Sequence, residues 1–102
     1  MTDTDHHGAP PEIKRFRAVV RGRVQGVGFR YYTQEKAMSL GLVGYVRNRP
    51  DRTVEVIAEG PADTMEEFLR WLHQGPSSAS VTRVHVYWQT PQYEFDTFEV
   101  RF

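Results

Sequence analysis

Cysteine is absent from the 102 residues, which excludes disulfides, thiolate metal sites and a thiol nucleophile. A chain without cysteine suits a reducing compartment, and a cytoplasmic protein is the expectation. Neither sign of charge is in excess, with 13 Lys and Arg against 13 Asp and Glu. Proteins that grip nucleic-acid backbones gain affinity from surplus basic residues, so no nucleic-acid partner is expected. No apolar run approaches the roughly 18 residues that span a bilayer. The stretch from Met1 to Pro11 lacks the apolar core of a secretory signal. Neither a membrane segment nor a leader is therefore expected. His6 and His7 stand together in that polar stretch with no further ligand nearby, so no metal site is expected there.

What is present describes one small globular unit. At 102 residues, 39% hydrophobic and 25% charged, the composition suits a single domain with one core, and a monomer is the default at this size. A polar tail over residues 1–12 and a folded domain over 13–102 is the expected division. Over 13–23, Phe16, Ala18 and Val20 alternate with Arg15, Arg17, Val19 and Arg21, the period of a strand with one buried face. A glycine-bearing loop follows. Phe29, Thr33, Ala37 and Leu40 then share one face of a helix predicted over 29–40, which Gly41 stops.

Strands are predicted over 42–47 and 53–59, joined by the turn residues Asn48-Arg49-Pro50-Asp51-Arg52. In the second, Val54, Val56 and Ala58 face one way and Thr53, Glu55 and Glu59 the other, while Ile57 breaks the alternation. A helix starting at Pro61 carries the stripe Met65, Phe68, Leu69 and Leu72. Further strands follow over 81–89, with Val84, Val86 and Trp88 on one face, and over 97–102, with Phe98, Val100 and Phe102 on one face. The order is β-α-β-β-α-β plus a short closing strand. Each helix has a single apolar stripe, so both must cover one face of a mainly antiparallel sheet. That is an α+β, ferredoxin-like sandwich.

The chemistry concentrates between Gly22 and Arg30. Glycines let successive N–H groups point inward as an anion nest, and the following helix adds its free amides and the positive end of its dipole. Arg30 falls in the first turn of that helix, where a cation opposes the dipole. A bound anion explains it better than helix stability does, since the guanidinium fork grips two phosphate oxygens at once. Two sharper nucleotide motifs fail: G-x-G-x-x-G from Gly26 needs glycine where Tyr31 stands, and G-x-x-x-x-G-K-[ST] is absent. His73 and His85 read as surface or core residues. Asp63, Glu66 and Glu67 read as acids favoured near a helix N-terminus. Tyr31, Tyr32, Tyr45 and Trp88 read as packing residues.

Gly22-Arg23-Val24-Gln25-Gly26-Val27-Gly28-Phe29-Arg30 resembles the signature of the acylphosphatase family, and Gly41-Leu42-Val43-Gly44-Tyr45-Val46-Arg47-Asn48 resembles its second signature. Val54-Glu55-Val56 and the Gly60 break also match, so the resemblance spans about residues 14–102. It implies the ferredoxin-like fold already read from periodicity. It further implies hydrolysis of a small acyl phosphate to carboxylate and inorganic phosphate, with no cofactor and no metal. Arg30 would bind the substrate phosphate, assisted by the backbone amides of Arg23, Val24, Gln25, Gly26, Val27, Gly28 and Phe29. Asn48 would hold the attacking water.

One departure stands out: the turn after Asn48 carries Asp51-Arg52 where the family usually has Asp-Gly. If position 52 requires positive φ, arginine there costs about 1 kcal/mol. Two other readings share the fold. A non-catalytic anion-binding module would not need both Arg30 and Asn48. An RNA-binding module would carry R/K-G-F/Y-G/A-F-V-x-F/Y on a strand, and neither the 43–48 nor the 54–59 segment has it.

Overall fold

The computed structural model describes residues 11–102. His6 and His7, and the expected tail apart from Pro11 and Glu12, lie outside the described residues. Five strands and two helices follow in the order β1 (Ile13–Arg23), α1 (Phe29–Ser39), β2 (Val43–Asn48), β3 (Val54–Pro61), α2 (Ala62–Gln74), β4 (Ser80–Gln89) and β5 (Phe98–Arg101). The sheet order is β4-β1-β3-β2-β5. All neighbours run antiparallel except β2 and β5, which are parallel. Two helices on one face of an open five-stranded sheet form the expected ferredoxin-like α+β sandwich.

The core lies between the sheet and the helices. Phe16, Ala18 and Val20 of β1, Val46 of β2, Val54, Val56 and Ala58 of β3 and Phe98 of β5 are buried against Phe29 and Ala37 of α1 and Met65, Phe68 and Leu72 of α2. Phe68 sits at its centre, 6.3 Å from Phe16, 6.0 Å from Phe98 and 6.4 Å from Trp71 between ring centroids. A fully buried phenylalanine of this kind contributes about 1.5–3 kcal/mol through burial. α1 ends as its sequence suggests. The Gly41 amide donates to Met38 and the Leu42 amide to Ala37, a Schellman closure that aims the chain into β2.

Among the described residues no helix covers the opposite face of the sheet, yet it is not simply solvated. Thr53, Glu55 and Glu59, which alternation assigns to the outward face, are buried. The Glu55 carboxylate accepts from Arg17 Nε at 2.6 Å, from Arg47 Nε, and from the Tyr45 hydroxyl at 3.1 Å. Glu59 accepts from the backbone amides of Gln92 at 2.7 Å and Tyr93 at 3.0 Å, which pins the β4–β5 connection to the sheet. Ile57 lies between Arg17 of β1 and Tyr45 of β2 in the strand register, and these long side chains cover it. β3 is the central strand of the five, and residues on both of its faces are buried.

Burial pushes the Glu55 carboxyl up, but the hydrogen bonds from Arg17 and Arg47 outweigh it and hold the group below its ordinary range. Burial and the adjacent Glu55 charge together push the Tyr45 hydroxyl up.

Candidate active site

β1 delivers the chain into the loop, and α1 takes it out again. Gly26 and Gly28 hold left-handed backbone conformations, φ 75° and 78°, which L-residues adopt at a cost. Gly28 is also the N-cap of α1. It supplies no capping side chain, and the first turn carries no acidic residue. The first amides of α1 therefore receive no side-chain cap from these positions. Two further contacts brace the loop: Ser78 Oγ donates to the Val27 carbonyl at 2.7 Å, and the Arg23 guanidinium donates to the Ser78 carbonyl at 3.3 Å.

Arg30, Asn48, Val24, Gly26, Gly28 and Phe29 line one cleft of about 390 Å³, together with Tyr31, Val100 and Phe102. Its size suits a small ligand. Arg30 sits at the mouth, where it donates to the Arg101 carbonyl at 3.0 Å and stacks on the Phe102 ring with its guanidinium carbon 4.6 Å from the centroid. A guanidinium has five N–H donors, so most of its donors are free for a ligand. Asn48 ends β2, opposite Val54. Its side-chain oxygen Oδ1 is buried and has no hydrogen-bond partner among the described residues. Buried acceptors are ordinarily satisfied, so an orphan lining a cleft marks a place for a donor.

Of the loop residues named from sequence, three turn their side chains elsewhere. Arg23 reaches Ser78, Val27 packs against the core, and Gln25 reaches the turn between β2 and β3. That turn is closed by Arg52 N–H to the Arg49 carbonyl at 3.1 Å and Arg49 N–H to the Thr53 carbonyl at 2.9 Å. Asp51 Oδ1 accepts from both the Thr53 amide at 3.1 Å and the Thr53 hydroxyl at 2.5 Å. Those bonds, the hydroxyl first, hold the Asp51 carboxyl below its usual range. Arg52 does adopt positive φ, at 72°.

Tyr31 lines the cleft as well as packing edge-on to Tyr32. Tyr45 lies on the opposite face of the sheet, beside Glu55. Val100 and Phe102 were legible as one face of β5, but not as cleft walls. Their place depends on β5 lying beside β2, which local pattern does not report. Among the described residues no three His, Asp or Glu side chains converge as a metal site, and no helix is long and apolar enough to cross a membrane.

The fold and cleft define a ferredoxin-like domain with a glycine-bearing loop lining a cleft at the start of its first helix. The family model for acylphosphatases matches residues 16–100. The chain is 51% identical to the acylphosphatase of Thermococcus kodakarensis over 78% of its length and 90% of that protein. It is 55% identical to the acylphosphatase of Thermus thermophilus over 74% of its length and 86% of that protein. The crystal structure of acylphosphatase from Bacillus subtilis superposes with a TM-score of 0.84 at 35% identity, covering 89% of this chain and all of that one (100%). The chain belongs to the acylphosphatase family, and is a hydrolase acting on small acyl phosphates.

Proposed function

We propose that Arg30 and Asn48 divide the chemistry of acyl-phosphate hydrolysis between them. The observation that carries this reading is the orphaned Asn48 Oδ1, buried in the same cleft that holds Arg30 at its mouth. The substrate's phosphate sits in the nest of the 23–30 loop. There the loop amides and the guanidinium hold its non-bridging oxygens and stabilise the charge that develops in the transition state. Water donates one hydrogen to Asn48 Oδ1, which turns a lone pair toward phosphorus in line with the leaving carboxylate.

A bond forms between the water oxygen and phosphorus as the bond from phosphorus to the acyl oxygen breaks. The electron pair leaves with the carboxylate. Asparagine does not titrate, so it orients the water without acting as a base, and the water's proton passes to a phosphate oxygen. The leaving carboxylate is weakly basic, so no strong acid is needed. Val24, Phe29, Tyr31, Val100 and Phe102 form the apolar side of the cleft and receive the acyl group. The same reading takes the protein as a cytoplasmic monomer with no nucleic-acid partner, supported by the absence of cysteine and the balanced charge.

The test is hydrolysis of benzoyl phosphate by the wild type, Arg30→Ala and Asn48→Ala, each checked for folding by circular dichroism. Both variants are expected to fold and to lose about 100- to 1,000-fold in kcat, as when one transition-state donor is removed. A folded wild type with no turnover would leave an anion-binding module in place of an enzyme. Full activity in either variant would remove that residue from the chemistry.

A further inference from the structure

Gln25 stands in the middle of the anion loop, yet its side chain turns away from the cleft. Its Nε2 donates to the Arg49 carbonyl at 2.9 Å and to the Thr53 carbonyl at 2.8 Å. Carbonyls only accept, so the atom facing them is the amide nitrogen, and both of its hydrogens are used. The two acceptors lie on the two sides of the β2–β3 turn. Asn48 immediately precedes the first and pairs with Val54, which immediately follows the second. One side chain therefore fastens both strands within a residue of Asn48. Among the described residues, these are the only hydrogen bonds between loop 24–28 and turn 49–53.

We propose that Gln25 is a positioning residue, setting the spacing between the loop that holds the phosphate and the asparagine that orients the water. The inference rests on the roles proposed above for Arg30 and Asn48. In-line attack requires the reacting atoms within about 3–3.5 Å in an aligned geometry, and a misplacement of about 1 Å can cost about 100-fold in rate. Loop and turn are separate excursions from the sheet, joined here through a side-chain clamp. Glutamine suits the task chemically. Glutamate would set carboxylate oxygens against two carbonyls beside the phosphate, and asparagine falls one methylene short of the reach.

A double-mutant cycle on benzoyl phosphate hydrolysis separates positioning from mere loop stability. Gln25→Met keeps the length and removes both donors. It is expected to lower kcat about 10- to 100-fold with KM within about threefold, while the far-UV spectrum stays native. In an Asn48→Ala background the same change is expected to alter kcat less than about threefold, because the group it positioned is gone. Gln25→Asn, whose amide falls short of both carbonyls, is expected to give the same pattern and serves if the Met variant folds poorly.

Wild-type kcat in both Gln25 variants, or an equal loss in both backgrounds, overturns the proposal. Wild-type kcat in Asn48→Ala alone overturns the water-orienting role and this inference with it. A loss in Asn48→Ala with additive Gln25 effects overturns the inference only.

Discussion

The Arg30 guanidinium lies over the ring of Phe102, 4.6 Å from its centroid, and donates to the carbonyl of Arg101 beside it. The end of β5 and Phe102 just beyond it thus hold the plane of the arginine, while the same ring lines the cleft. An exposed cation–π contact is worth about 0.5–1 kcal/mol. Phe102→Ala is therefore expected to lower kcat/KM for benzoyl phosphate about two- to fivefold. Phe102 is fully exposed, so its melting temperature should stay within about 2 °C of wild type. An unchanged kcat/KM would mean that the stack neither orients Arg30 nor meets the acyl group.

Gly26 tests the loop backbone separately from its side chains. A Cβ built there meets no atom within 4 Å, so alanine brings no clash, only the cost of φ 75°. That cost is about 1–2 kcal/mol. The loop is expected to relieve it partly by rotating its amides away from the nest. Gly26→Ala should weaken competitive inhibition by inorganic phosphate about 3- to 10-fold while the protein remains folded. Unchanged phosphate inhibition would show that the nest does not depend on this backbone angle.

Arg52 carries the same kind of cost without a use for it. The turn after Asn48 places Arg52 at φ 72°, a left-handed residue closing the β2–β3 hairpin. Glycine at that position removes about 1–2 kcal/mol of strain and adds about 0.5–1 kcal/mol of unfolded-state entropy. Arg52→Gly is expected to stabilise the domain by about 0.5–1 kcal/mol, a rise of about 2–8 °C in melting temperature, with kcat unchanged. A lower melting temperature would show that the Arg52 side chain makes a compensating contribution.

The strain at Arg52 was legible only as a departure from the Asp-Gly turn of the family that the sequence resembles. The strand 13–23, the helix stripes and the β-α-β-β-α-β order were visible in the sequence itself, since all of them are short-range patterns. Arg30, Asn48 and the glycine loop could be singled out because the stretches that resemble the family's signatures are contiguous. What escaped is non-local. Phe102 reaches the cleft only because β5 lies parallel to β2, and Gln25 finds carbonyls 24 and 28 residues away. Alternation put Glu55 and Glu59 on the face away from the helices, without showing that they are buried. Arginines on neighbouring strands bury them, and alternation within one strand says nothing about its neighbours. β2 runs one residue later than expected, to Asn48, because the ladder to Val54 carries it there.

Glu55 gives the clearest pH dependence. Its carboxyl is buried on the sheet face away from the helices, and Arg17, Arg47 and Tyr45 all donate to it. Burial raises its pKa, but the arginine hydrogen bonds prevail, so the folded value lies below the unfolded one. A depressed carboxylate contributes stability fully above its unfolded pKa, about 4.3 for glutamate, and loses it as pH falls through the folded value. The melting temperature is thus expected to hold between about pH 5 and 7 and to fall below about pH 4. Glu55→Gln removes the charge but keeps the shape.

Removing one partner from a fully buried pair costs about 3–5 kcal/mol. Here the Arg17 and Arg47 side chains are 29% and 43% exposed and regain water, which reduces the expected loss to about 1–3 kcal/mol at pH 7. The variant's acid limb should be shallower than wild type, since one of the groups that must be protonated is gone. Parallel acid limbs for the two proteins would show that Glu55 does not drive the acid sensitivity. Activity per folded molecule should be unaffected, because Glu55 lies outside the residues that line the cleft.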